Sequence, residues 1–483
     1  MATNNEYKAQ IDAWFEAHGE ELVNDTLKLI GIKSVLGAPE HGKPYGAGAA
    51  AALDFTREWL HSHGFATETF QDCMLSADLG AETDATPKLG ILVHVDTVAA
   101  HDGWDSDPFV GEVRDGVIYG RGATDNKGPA IASLYAMLAA RELAPQLNLR
   151  LTHGARIIIG SAEEIGCVDV GEYLKENAPP EYVFAPDAVY PLVNVEKGRF
   201  LARFGAEWNG NEATPRVVSI TGGDTPNIVP RVASAVVEGL PPSGIVALCA
   251  KLTERTGVEL TAEDCESASG EPTVRITALG KAAHASRPWD GNNAQTALLA
   301  LLNVLPLARS QAADALRALV KLFPHGDTRG EAIGISMSDE ASGELTLNFG
   351  TLTLDAEGLT ATFDARTPAV ADGRDLHGIT DRALWDNGLK LESISATRCH
   401  YTPQDSPLVQ TLLGIYEDYT GLRGECLSLG GTTYVHNIPG GVAFGTEFPG
   451  TENRIHGANE FIGVDELILS AKMFTQAILD ICG

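Results

Sequence analysis

The chain of 483 residues is long enough for two or three domains with full cores, and 44% hydrophobic with 21% charged residues is ordinary globular composition. A formal charge of −30 argues against a general nucleic-acid or anionic-membrane surface, because both need clustered Lys and Arg to neutralise phosphate. The seven cysteines (Cys73, Cys167, Cys249, Cys265, Cys399, Cys426 and Cys482) are scattered, odd in number and without a C-x-x-C pair, which fits reduced thiols better than a disulfide framework.

Met1 to Glu21 is polar and acidic, with neither a basic nor an apolar leader region, and no apolar run approaches membrane-spanning length, so the expectation is a soluble, cytoplasmic protein. Apolar residues recur at helical spacing over Glu6 to Ile30 and Ala49 to His63, predicting helices that cover a sheet. Ala66 to Thr69 and Lys88 to Val95 read as strands. The second runs into His94-Val95-Asp96, where period-two alternation points the imidazole and the carboxylate the same way. That pair suits a metal ligand with its orienting carboxylate; taken alone it equally suits a histidine hydrogen-bonded at a strand end. Gly120 to Gly128 is a flexible turn before a helix predicted over Pro129 to Leu143, which puts Asp125 on a strand-to-helix loop. It is not a dinucleotide loop, since the third glycine of G-x-G-x-x-G falls at Asp125, whose carboxylate repels pyrophosphate.

A strand over Ala155 to Gly160 leads into Ser161-Ala162-Glu163-Glu164, a helix spans Val168 to Glu176, and a short strand over Tyr182 to Ala185 leads into Pro186-Asp187. Alternating strands and helices imply an α/β fold, a doubly wound, largely parallel sheet that binds ligands beyond the carboxyl ends of its strands. His94, Asp96, Glu163, Glu164 and Asp187 all fall at such ends, a coincidence that separate packing roles do not explain. A Glu-Glu pair is usually just solvated, but two carboxylates directly after an apolar strand can divide labour between ligand and base.

From about Val195 the pattern becomes α+β, with strand-like Arg199 to Trp208, Thr273 to Leu279 and Leu345 to Asp364 and helical Asn293 to Leu307 and Ala312 to Phe323. After Arg398 helices and buried strands return at Ser406 to Tyr419, Gly441 to Thr446 and Val464 to Ile481. The expected organisation is a catalytic domain in two segments, 1–198 and 398–483, carrying an inserted α+β lid domain of two similar halves over 199–397. His456 lies in the polar loop Asn453 to Glu460 before the last helix, and would give such a site the second nitrogen ligand that a co-catalytic zinc pair commonly needs.

Together H-V-D, G-W-D-S-D-P-F, G-R-G-A-T-D-N-K-G, S-A-E-E-I-G, A-P-D, K-A-A-H-A-S-R-P and H-G-A-N-E, in this order over nearly the whole chain, resemble the aminoacylase, carboxypeptidase-G and dipeptidase superfamily of di-zinc metallopeptidases, most closely its PepV-like dipeptidases. The resemblance implies that Asp125 bridges two metals, with His94 and Asp187 on one and Glu164 and His456 on the other. It further implies that Asp96 orients His94, that Glu163 is the general base, and that the Asp125–Asn126 peptide is cis. By the same resemblance His284 is a lid residue that hydrogen-bonds the tetrahedral intermediate, and Asn227 and Arg366 contact substrate, with the Arg366 guanidinium able to pair with a substrate carboxylate. Gly430, Gly431 and Thr432 match a glycine-rich loop for the substrate carboxylate, although Thr432 stands where a glycine or other small residue is usual. The implied activity is hydrolysis of dipeptides with two zinc ions, and manganese or cobalt also suit such an oxygen-rich site. N-acyl-amino-acid amidohydrolase and carboxypeptidase activities use the same scaffold. A catalytically silent metal or amino-acid binding protein is the other class, against which the presence of Glu163 argues. The enlarged lid implies a monomer whose His284 serves its own site.

Overall fold

The computed structural model describes residues 4–80, 87–210, 213–266 and 270–483. The chain forms two compact units, one made of Met1–Glu196 with His400–Gly483 and the other of Lys197–Cys399.

In the first unit the apolar run Leu89–His94 is buried at every position and lies near the middle of a nine-stranded sheet. Ala155–Gly160 pairs parallel on one side of it and Tyr182–Ala185 on the other, and Val442–Ala443 continues the parallel set. Antiparallel strands close both edges: Met74–Leu79 and Thr67–Phe70 at one, Leu192–Glu196 and His400–Tyr401 at the other. Strands buried on both faces read as continuous hydrophobic runs, and this explains why Arg156-Ile157-Ile158-Ile159 carries no polar alternation. Ile91, Val93, Ile157 and Ile159 enter the core beneath the helices Asn4–Ile30, Lys127–Gln146, Pro407–Thr420 and Val464–Cys482. Leu92, Ile158 and Val183 face a second core with Val170, Tyr173, Tyr434 and Val435. The sheet is therefore doubly wound and largely parallel.

The helix Lys127–Gln146 is buried almost all round over its first fourteen residues, where its alanines let the helix Val464–Cys482 approach closely. It begins two residues after Asp125, and Pro129 sits in its first turn, where a missing N–H costs nothing. Polar spacing in Met74–Leu79 hid that strand from the sequence reading; Ser76 is buried there beside Ile158.

The second unit is an eight-stranded antiparallel sheet with a helical layer. Phe200, Ala202 and Phe204 alternate into its core while Arg199 and Arg203 take the opposite face. The strand-like stretch Leu345 to Asp364 forms a hairpin, Thr346–Leu354 and Gly358–Thr367, turned at Asp355, whose carboxylate accepts the amides of Glu357 and Gly358. At each edge a helix feeds the outermost strand, Pro242–Thr256 into Glu259–Asp264 and Leu376–Trp385 into Lys390–Thr397. No helix among the described residues is long and apolar enough to cross a membrane, and none of the seven cysteines forms a disulfide.

Candidate metal centre

Three parallel strands end side by side in the order Gly160, His94, Ala185, so the residues that follow them meet at one edge of the sheet. His94, Glu163 and Asp187 present ligand atoms within 4.8 Å of one another, and so do Asp125, Glu164 and His456. Asp125 joins the two groups. Its Oδ1 lies 3.1 Å from His94 Nε2 and its Oδ2 lies 3.0 Å from His456 Nε2. Asp187 Oδ2 is 3.6 Å from His94 Nε2, and Glu164 Oε2 is 3.0 Å from His456 Nε2. The buried atoms His94 Nε2 and Glu164 Oε1 make no hydrogen bond among the described residues. Two imidazoles amid four carboxylates form a donor set suited to divalent cations, and these unbonded buried atoms fit residues shaped to hold them.

The loops that carry these groups are tied down by buried carboxylates accepting main-chain N–H groups. Asp96 Oδ1 and Oδ2 accept the amides of Glu163 and Glu164 at 3.2 and 3.1 Å, and the Asp96 backbone oxygen is 3.2 Å from His94 Nδ1. Asp96 therefore holds both the imidazole and the two glutamates. Asp169 Oδ2 takes the preceding amides of Ser161 and Ala162 at 2.7 and 2.9 Å, and Tyr434 donates its hydroxyl to the same carboxylate at 2.8 Å. Asn126 donates to Asp187 Oδ1 at 3.1 Å and to the Pro186 carbonyl at 2.7 Å, while its Oδ1 accepts the His94 amide at 3.3 Å. The Asp125–Asn126 peptide is cis. Asn126, Asp169 and Glu460, the last with contacts described below, do not stand out as functional in the sequence; the partners of Asn126 and Glu460 lie 32 to 339 residues away, and Asp169 joins the amides of Ser161 and Ala162 to the distant Tyr434.

Burial penalises the charged form of every carboxyl here, with results that depend on what each one faces. Glu163 is held well above the usual carboxylate range by burial, against the pull of His94, and Asp187 charge adds to the rise. Burial lifts Glu164 to about 7 and Asp187 to about 6. At Asp125 burial also acts upward, but the adjacent imidazoles of His456 and His94 outweigh it and hold the group well below its ordinary value. His456 is raised to about 11 by its bonds to Asp125 and Glu164.

Gly430 to Thr432 follow the strand Cys426–Leu429, and the next residue, Thr433, gives its amide and hydroxyl to the buried Glu196 at 3.1 and 2.6 Å. In the second unit the Asn227 carbonyl accepts the Ala285 amide, and Ile228 pairs with His284, so Asn227 and His284 are neighbours. His284 is exposed, with Nδ1 2.7 Å from Ser286 Oγ. Arg366 sits opposite Thr346, whose hydroxyl reaches the Ala285 carbonyl, and donates Nε to the buried Asp364 at 2.8 Å. All three predicted lid residues thus share one region of their unit.

A doubly wound sheet with paired histidine and carboxylate clusters at its carboxyl edge is the build of a metal-dependent hydrolase. Residues 90–480 match the model of peptidase family M20/M25/M40. YtjP of Bacillus subtilis (strain 168), whose name assigns it provisionally as a dipeptidase, is 34% identical over 470 residues, covering 96% of this chain and 97% of that protein. The Beta-Ala-Xaa dipeptidase of Lactobacillus delbrueckii subsp. lactis is 30% identical over 472 residues, covering 96% and 97%. Human carnosine dipeptidase 1 shares the fold with a TM-score of 0.56 at 16% identity, covering 98% of each chain. The chain belongs to peptidase family M20/M25/M40, and it is a metallopeptidase.

Proposed function

We propose that the protein hydrolyses the amide bond of dipeptides at a two-metal centre, with Glu163 as general base. The observation that carries this reading is Asp125, a single carboxylate offering one oxygen toward each of two imidazoles at 3.1 and 3.0 Å. His94, Asp125 and Asp187 would hold one zinc ion and Asp125, Glu164 and His456 the other; manganese or cobalt also suit these ligands. Bound there, the pair would polarise the scissile carbonyl and acidify the attacking water.

The protein's own residues do the rest. The Glu163 carboxylate takes the proton of the attacking water and passes it to the departing amine. In the metal-free site burial raises its affinity for a proton, the direction that suits a general base. Asp96 keeps His94 and Glu163 in place through Nδ1 and the backbone amide. Arg366, oriented by Asp364, and the Gly430-Gly431-Thr432 loop are assigned to the substrate carboxylate, Asn227 to substrate contact, and His284 to the tetrahedral intermediate. The names of the two relatives support a dipeptide substrate. The same reading makes the protein a cytoplasmic monomer.

Metal-loaded protein assayed against α- and β-alanyl dipeptides, longer peptides and N-acyl amino acids tests the substrate class. Dipeptides should give the highest kcat/KM. A higher value for N-acyl amino acids or for longer peptides would move the activity to an amidohydrolase or a carboxypeptidase.

A further inference from the structure

We infer that Arg121 and Glu460 form a buried clasp that fixes the spacing between the Asp125 loop and the His456 loop of the metal centre, an inference that rests on the two-metal reading. Neither residue is a proposed ligand, and both are buried, at 1% and 0% exposure. Glu460 Oε1 accepts the amides of Thr124 and Asp125 at 2.9 and 3.0 Å, and its Oε2 accepts the Gly122 amide at 3.1 Å and Arg121 Nη1 at 2.6 Å. Arg121 Nη2 reaches on to the Gly457 carbonyl at 2.9 Å. A continuous chain of bonds therefore runs from the peptide next to His456, through Arg121 and Glu460, to the amide of Asp125.

The His456 loop needs such an outside hold. Arg454, His456 and Asn459 have φ of 59, 61 and 58°, so three non-glycine residues occupy the left-handed region within one short loop. Each is a conformation that persists only when its surroundings impose it. His456 itself is half-exposed, so close packing does not set the position of its ring. A second tie, between Asn459 and Asp105, sits at the surface. All four groups facing Glu460 are donors, so a carboxylate satisfies them and an amide, with one accepting oxygen, does not. Both clasp members are positioning residues; neither touches substrate or metal.

Cobalt(II) titration of metal-free protein, read by visible absorption and by competition with a chromophoric chelator, tests the clasp without an activity assay. Wild type should bind two ions. Glu460→Gln should weaken one of them, the ion that depends on His456, by about 10- to 100-fold, the usual loss when a partner behind a ligand is removed. The other ion should weaken at least tenfold less, and the cobalt absorption band should change. Arg121→Lys keeps the buried cation but cannot reach both Glu460 and Gly457, and should show the same split should the first variant fold poorly; the thermal midpoint of metal-free protein is recorded for each. If wild type binds two ions and the variants bind both as wild type does, or lose both equally, the clasp is wrong while the two-metal reading stands. If wild type binds fewer than two, the two-metal reading fails and the clasp falls with it.

Discussion

Glu163 and Glu164 are adjacent in sequence but face different surroundings. Glu164 Oε2 is 3.0 Å from His456 Nε2, whereas Glu163 Oε1 accepts the Cys167 thiol at 3.2 Å and lies in the group with His94 and Asp187. That placement allows Glu163 to be a base or a ligand, and metal content separates the two roles. Glu163→Ala should lower kcat by about 10²- to 10⁴-fold, the range for loss of a general base, with two metals still bound. His94→Ala and Asp125→Ala should lose metal, as measured by elemental analysis after gel filtration. Equal metal loss in all three variants would make Glu163 a ligand. Among the residues found from the sequence, His94, Glu163, Glu164 and Asp187 come at or just after the ends of apolar strands, whereas Asp125 and His456 lie in polar loops and were legible only through the motifs around them. Glu460 and Asn126 were legible only as letters in motifs, because their work is done by hydrogen bonds to distant loops that no local pattern encodes.

At the scale of elements, the strand Ala155–Gly160 shows how a fold edge becomes a site. Its four following amides are taken in turn by two buried carboxylates, Asp169 for Ser161 and Ala162 and Asp96 for Glu163 and Glu164. Burial, with Asp96 charge adding, raises Asp169 from an ordinary 3.8 to about 6 against the bonds from Ser161 and Tyr434. Between pH 3.8 and about 6 the folded state then holds more of this proton than the unfolded chain does, so ionising Asp169 costs stability as pH rises through that window and no further above it. Asp169→Asn lacks the titration. The stability of the variant relative to wild type should therefore rise from pH 4 to pH 6 and then level off, whatever constant penalty the lost charge imposes, as read from thermal midpoints of metal-free protein. A difference that does not change with pH would show that Asp169 is not held protonated by the fold. Hydrophobic runs made Leu89–His94, Ala155–Gly160 and Tyr182–Ala185 readable, and the edge strand Thr67–Phe70 was expected as well; the interior strands Arg216–Gly222 and Val232–Glu238 and the helix Pro242–Thr256 were not. Met74–Leu79 interrupts its apolar residues with the buried Ser76 and the exposed Asp78, and Lys390–Thr397 is largely solvated at the sheet edge, so neither presents a clean apolar run.

For the whole molecule, the sequence pattern of an α+β stretch between two α/β stretches anticipates a catalytic domain carrying a lid, and the proposed lid residues Asn227, His284 and Arg366 all lie in the 197–399 unit. What periodicity did not supply is the topology inside that unit, since the strands Arg216–Gly222 and Val232–Glu238 pair antiparallel in an order set by long-range contacts. The monomer reading requires His284 to act on the site of its own chain. Mixing Glu163→Ala with His284→Ala protein under conditions of subunit exchange should restore no dipeptide hydrolysis, and light scattering should give the mass of one chain. Recovery of activity on mixing would place His284 in a partner's site. If two ions and the residues around Asp125 form the catalytic centre, dipeptide hydrolysis should track the metal bound per chain as metal-free protein is reloaded. No turnover is expected without metal, and full activity only as the content approaches two per chain; turnover that survives complete metal removal would rule out a metal-dependent centre.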